Sequence, residues 1–353
     1  MRLRMFLGIA LALIVGLAVR FVGTGGQDDS PANIKESYRL LSTICLVRPL
    51  CPVSSDALDQ MKGAIAGDSG AEYLLGLTLL TGDGLPQDRR AGLAWVARAA
   101  EHGEPGAARD ISDRLRNGAA IEVDESSIAA ALQRRVDGGD KEAMRALGPM
   151  ILRGRGAKQD GAAGLALLKR AASLGSTGAE ADLAALYLNG APGVAQDREE
   201  SLKWFESSAR HGDADAMTSL GYLVLNAPKS GARDVARSYC WLARAALLDR
   251  AEAQEKLSTI FATGEADQRG GAIAPDAVQA DAWFRLAARS PYHDNSQIRA
   301  AIESEMTTDQ LEAAKRIAAA WKPQSFDQLK KLDIPLPPAA RGGASQGKCP
   351  PMG

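Results

Sequence analysis

The chain has 353 residues, 46% of them hydrophobic and only 5% aromatic, with 42 basic against 43 acidic side chains. A length of this order accommodates one or two domains, and the balance of charge excludes the basic excess or stripe that marks a nucleic-acid-binding surface. Ala and Gly are abundant and β-branched runs are nearly absent, which favours closely packed helices over strands.

Residues 1–22 read as a targeting element. Arg2 and Arg4 precede an uncharged run from Met5 to Val19. That run fits the core of a signal peptide better than the roughly 20 residues of a full membrane span. No clean Ala-x-Ala site comes after it, so a cleaved signal peptide and an uncleaved N-terminal membrane anchor both stand. The basic residues keep the N-terminus cytoplasmic and export the remainder of the chain. The expected location is therefore periplasmic, tethered to the inner membrane if the segment is retained and secreted if it is removed. Residues 23–33 (GTGGQDDSPAN) read as a flexible linker.

The four cysteines fit an oxidising compartment. Cys45 and Cys51 flank Pro49 and can close a short loop as a disulfide, Cys240 reads as a small buried residue in a helical stretch, and Cys349 falls in the tail. No Cys–His grouping has zinc spacing. With His102, His211 and His293 as the only histidines, neither a metal site nor a cofactor is expected.

From residue 67 to 305 the chain is periodic. Ala-x-x-x followed by an aliphatic and a small residue recurs at Ala71, Ala107, Ala143, Ala179, Ala216 and Ala253, spacings of 36 or 37 residues. Self-similarity at this period means a solenoid of stacked supersecondary units. In each unit the Ala and the apolar-small pair lie on one face of a first helix. A small residue stops that helix, in register at Gly82, Gly118, Gly154, Gly190, Ala227 and Gly264. Asp88, Asp160 and Asp197 then stand where a side chain can cap a second helix. The second helix carries a large residue followed by two small ones, as in Trp95…Ala99-Ala100 and Trp241…Ala245-Ala246. Small residues on a helix face let its neighbour approach closely, and no single unit can bury its apolar face alone. Fold class is thus all-α, about six helix–turn–helix repeats.

The segment AEADLAALYLNG (179–190), with Gly193-Val-Ala-Gln-Asp197, Trp204-Phe205 and His211-Gly212-Asp213, resembles a Sel-1-like repeat, a relative of the tetratricopeptide repeat. The resemblance extends over residues 57–322 and implies a right-handed superhelical array that binds proteins. The unit at Ala107 lacks the turn motif and the large aromatic, and Pro149 is expected to kink the first helix of the next unit. Residues 34–66 are expected to form a degenerate capping repeat, 306–322 a C-terminal capping helix and 323–353 a disordered tail.

No catalytic constellation is evident. His102 and His211 recur before a helix-ending glycine, Asp88, Asp160 and Asp197 recur one per turn, and the tryptophans recur at core positions, all as packing demands. By analogy with tetratricopeptide arrays, a protein partner is expected on the concave face, at Tyr73, Arg109, Arg116, Arg145, Arg153, Asn189, Tyr222 and Asn226. Tyrosine, arginine and asparagine combine area with directed hydrogen bonds, and the four arginines suggest an acidic partner segment. The expectation is a non-enzymatic scaffold or adaptor of the bacterial envelope. The alternatives are an envelope enzyme or cell-wall or β-lactam-ligand binder, and a self-associating structural array.

Overall fold

The computed structural model describes residues 55–85, 87–116, 125–226, 234–266, 272–290, 296–337 and 348–351. The targeting segment, the linker, the Cys45–Cys51 pair, Gly118 and Ala227 lie outside these. Among the described residues no helix is long and apolar enough to cross a membrane.

The chain is an all-α repeat protein of the solenoid class. After α1 (Ser55–Ile65), five helix pairs pack closely: α2 (Ser69–Thr81) with α3 (Arg89–Glu101), α6 (Lys141–Arg153) with α7 (Gly161–Ser173), α8 (Thr177–Asn189) with α9 (Arg198–Arg210), α10 (Ala214–Leu225) with α11 (Val235–Leu247), and α12 (Ala251–Thr263) with α13 (Ala277–Ala287); between the first two, α4 (Pro105–Arg116) and α5 (Glu125–Asp137) each pack on α3 and α6. A short antiparallel ladder, β1 (Glu265–Ala266) with β2 (Ala272–Ile273), lies between α12 and α13. Then come α14 (Ser296–Ser304), α15 (Thr308–Ala320) and α16 (Phe326–Leu329). The weak unit at Ala107 still forms both its helices, and α6 is assigned as one helix through Pro149.

The chain divides into two compact units. The first runs to Ser176 and includes Ala191–Val194; the second comprises Thr177–Gly190 and Ala195 onward. In the first, Met61, Leu75, Leu79 and Trp95 form a core cluster. In the second, Phe205, Met217, Leu220, Trp241, Leu257 and Phe261 form another. The repeated Ala and aliphatic positions are buried, Ala71 of the first unit alone being only partly so, with Ala107, Ala143, Ala179 and Leu183 at 0–1% exposure.

Caps recur as the spacing requires. Asp88, Asp160 and Asp197 each accept backbone N–H groups at the start of a second helix. Asp234 and Asp276 do the same in the next two units, and Asp68, Asp140 and Asp213 cap first helices. Gly82 and Gly154 end α2 and α6 in the left-handed conformation that glycine adopts without steric cost.

Where the small position after the aliphatic residue is glycine, first and second helices cross on it. A Cβ on Gly76 would stand 3.0 Å from the Gly92 carbonyl oxygen, and one on Gly92 would stand 2.9 Å from that of Gly76. Gly148 and Gly164 repeat the arrangement, and in α10/α11 Gly221 faces Ser238, whose hydroxyl donates to the Gly221 carbonyl at 2.8 Å.

Two expectations about the C-terminal part are corrected. The expected disordered tail is ordered in its described part, residues 324–337 and 348–351: α16 forms on a Ser325 capping box, and Leu329 and Ile334 are buried in the core of the second unit. Cys240 is buried, as expected, but it is bonded to Cys349 across 109 residues of sequence. A polar, Pro- and Gly-rich composition masked four well-spaced apolar anchors, Phe326, Leu329, Ile334 and Cys349, that pack on this cluster. Before this stretch, α15 begins on a capping box at Thr307 and Gln310.

Candidate functional site

The first helices carry the residues singled out for partner binding. In the first unit these form a row across α2, α4 and α6. The Tyr73 ring lies against Gly106, where an added Cβ would meet the ring at 2.9 Å. Its hydroxyl is raised above the usual tyrosine range, first by burial and then by the negative charge of Asp110. Arg109 reaches Glu142 at 3.3 Å, and Arg145 approaches the same carboxylate at 3.8 Å. Asp110 is paired with Arg114 at 2.8 Å within α4. The row therefore holds Tyr73, Arg109 and Arg145 in fixed positions, half-exposed, with one carboxylate shared by two guanidinium groups.

Arg153 does not join that pairing. It is exposed at the end of α6, with Nη1 directed at the Pro149 carbonyl. The side chain of Arg116 lies outside the described residues. The four-arginine cluster is thus resolved into two arginines bridged by Glu142 and one at the helix end.

In the second unit Tyr222 is half-buried on α10, with Lys256 Nζ of α12 5.6 Å from its ring centroid. Burial, followed by Glu255 and Glu252, raises its hydroxyl pKa. Asn226 is the exposed C-cap of α10 and Asn189 the exposed last residue of α8.

Sequence reasoning missed Glu142 and Lys256, both of which position a predicted residue. Glu142 directly precedes the repeated Ala143, a place filled by Asp215 and Glu252 before Ala216 and Ala253. That acidic recurrence is the signal that was available. Lys256 has no counterpart in the sequence pattern.

His102 and His211 have structural partners. Glu72, fully buried on α2, accepts from Arg98 Nε at 2.9 Å and lies 2.7 Å from His102 Nδ1. In the unit of α8 and α9, Glu180 lies 2.8 Å from His211 Nδ1 and accepts from the Ser207 hydroxyl. Each histidine therefore ties the end of a second helix to the first helix of its own unit. No group of three or more His, Cys, Asp or Glu with metal-binding geometry occurs among the described residues.

The repeat pattern of the Sel1 family matches residues 69–104, 141–176, 177–213, 214–249 and 251–292. Of the six repeated units, the one left unmatched is that at Ala107, which lacks the turn motif and the large aromatic. Among solved structures, the chain is similar to a Sel1 repeat protein from Oxalobacter formigenes, at 20% identity and a TM-score of 0.45, over 74% of this chain and 99% of that one. It is also similar to a protective antigen of uropathogenic Escherichia coli displaying an SLR fold, at 20% identity and a TM-score of 0.29, over 94% and 89%. A third is an immunity protein from Pseudomonas aeruginosa, at 20% identity and a TM-score of 0.44, over 65% and 85%. No curated protein matches the chain in sequence.

Proposed function

The chain belongs to the Sel1 repeat family, whose members are generally protein–protein interaction scaffolds, and from that premise we propose that it is a non-enzymatic docking scaffold of the bacterial envelope, holding a protein partner on the face of its first helices. The observation that carries this reading is the row Tyr73–Arg109–Arg145, which spans three successive first helices, with Glu142 bridging the two arginines and Gly106 against the tyrosine ring. Preorganised aromatic and guanidinium groups lose little entropy on binding, so they suit a recognition surface. Two guanidinium groups over one carboxylate leave the row net positive, which favours an acidic segment on the partner.

The envelope location rests on two supports. Arg2, Arg4 and the apolar run to Val19 have the form of an export element. The Cys240–Cys349 disulfide needs an oxidising compartment to persist. Retention of the N-terminal segment would tether the repeats to the inner membrane, facing the periplasm.

Charge reversal tests the docking face. Arg145→Glu and Tyr222→Ala should each weaken binding of a co-purified envelope partner by about tenfold or more, the scale set by interface anchor residues. Lys203→Glu on α9, whose side chain is 69% exposed and paired only along its own helix with Glu200, should leave affinity unchanged. Equal loss from all three, measured by titration calorimetry on folded variants, would refute a docking role for the first helices.

A further inference from the structure

A second site stands on the second helices of the later unit. It begins from a substitution inside the repeat. In the first matched unit, Trp95 is followed by Arg98, whose guanidinium lies over the indole and pairs with buried Glu72. Trp241 and Arg244 occupy the same places, each pair followed by Ala-Ala, and Arg244 lies 4.9 Å from the Trp241 ring centroid. The position of Glu72, next to the repeated alanine, is taken here by Met217, fully buried and apolar. The carboxylate that belongs to this arginine is absent from the repeat.

Such an arginine can normally turn to water. Arg170, at the same place in the unit of Met144, is exposed. Arg244 is not: it is only 4% exposed, because the segment bonded through Cys349 crosses it and the Pro350 carbonyl accepts from Nη2. No carboxylate among the described residues pairs with it, and burial, followed by the like charge of Arg210, lowers its pKa. A buried guanidinium satisfied by one neutral carbonyl is costly.

Arg244 opens onto a cavity of about 290 Å³. Trp241, Leu336, Pro350 and Pro351 supply apolar walls, and Arg210, Arg237 and Lys348 line it as well. Those three cations differ from Arg244 in being paired, Arg210 and Arg237 with Glu206 and Lys348 with Asp333. We propose that this cavity binds a monoanionic carboxylate carrying an apolar group, the chemistry of a C-terminal residue of a peptide, with Arg244 as the anchoring cation. A planar carboxylate matches the guanidinium fork, and the apolar walls take the attached side chain. A phosphate dianion fits less well, since Arg210 and Arg237 are already paired with Glu206 and Lys348 with Asp333, which leaves the one guanidinium of Arg244 to balance a single negative charge. The disulfide holds one wall in place, so the site depends on oxidation.

Calorimetry on the full oxidised chain tests the assignment with N-acetyl-leucine, the peptide Ala-Ala-Ala-Leu, and the C-terminal amide of each. The acids should bind and the amides should bind at least tenfold more weakly. Arg244→Gln should remove the preference for the acid. Leu336→Trp, which fills the cavity from its half-exposed wall, should abolish binding with Arg244 intact, and it serves if Arg244→Gln does not fold. Binding of the peptide alone assigns a chain terminus, and equal binding of N-acetyl-leucine assigns a small acid; both keep the carboxylate site. No binding of either acid at millimolar concentration, equal binding of acid and amide, or binding of inorganic phosphate in preference to either acid would overturn it.

Discussion

Glu72 is a carboxylate with no exposure to water, held by a guanidinium and an imidazole from the second helix of its own unit. Its burial is sustained by those partners, since an ionised carboxyl group without them would not stay in an apolar setting. Glu72→Ala should destabilise the chain by about 2 kcal/mol, the range for hydrogen bonds to charged groups. His102→Ala should cost less, about 1 kcal/mol, because Arg98 still satisfies the carboxylate. Denaturant titration of the two variants checks the order, and an equal or larger cost for His102→Ala would contradict this bracing role. The sequence placed both histidines at structural positions by their recurrence before glycine. It did not reveal their partners, because Glu72 and Glu180 read as ordinary helix-surface residues until the second helix folds over them. The same blindness hid Glu142, which turns two apparently free arginines into a bridged pair.

At the scale of helix pairs, the small residue after each aliphatic position is what sets the repeat. Gly164 on α7 approaches Gly148 on α6 so closely that an added Cβ would stand 2.6 Å from the Gly148 carbonyl oxygen. Backbone atoms cannot yield as a side-chain tip can, so Gly164→Ala should destabilise by about 1–3 kcal/mol through overpacking, despite alanine's better helix propensity. A melting temperature at or above that of the parent would show that the crossing is looser than the geometry gives. This level was the most legible in the sequence: period, caps and small positions all derive from one repeated pattern, and the aspartate caps appear where that pattern puts them. Pro149 does not end its helix: α6 continues through it from Lys141 to Arg153, with Met144, Leu147 and Leu152 buried on it, and burial of that face offsets one missing backbone donor.

For the whole molecule, the link between Cys240 and Cys349 matters most, because it fastens the C-terminal segment to α11. Composition alone predicted disorder there, since Pro- and Gly-rich tails seldom bury apolar surface. A disulfide partner more than a hundred residues distant leaves no local trace. Cys349→Ser should lower stability by about 2–5 kcal/mol, as for loss of other disulfides that close long loops. It should also make the segment after Pro323 sensitive to protease. An unchanged melting curve and an uncleaved tail would show that Phe326, Leu329 and Ile334 suffice to hold it.

The docking claim is tested most directly in living cells. A photo-crosslinking residue is placed at Tyr222, at Arg153 and, as control, at Lys203 on α9, and the adducts are identified by mass spectrometry. One protein species attached at Tyr222 and Arg153 and missing at Lys203 is the predicted result. Equal labelling at all three positions, or adducts only with further copies of this chain, would contradict it and leave self-assembly as the better account.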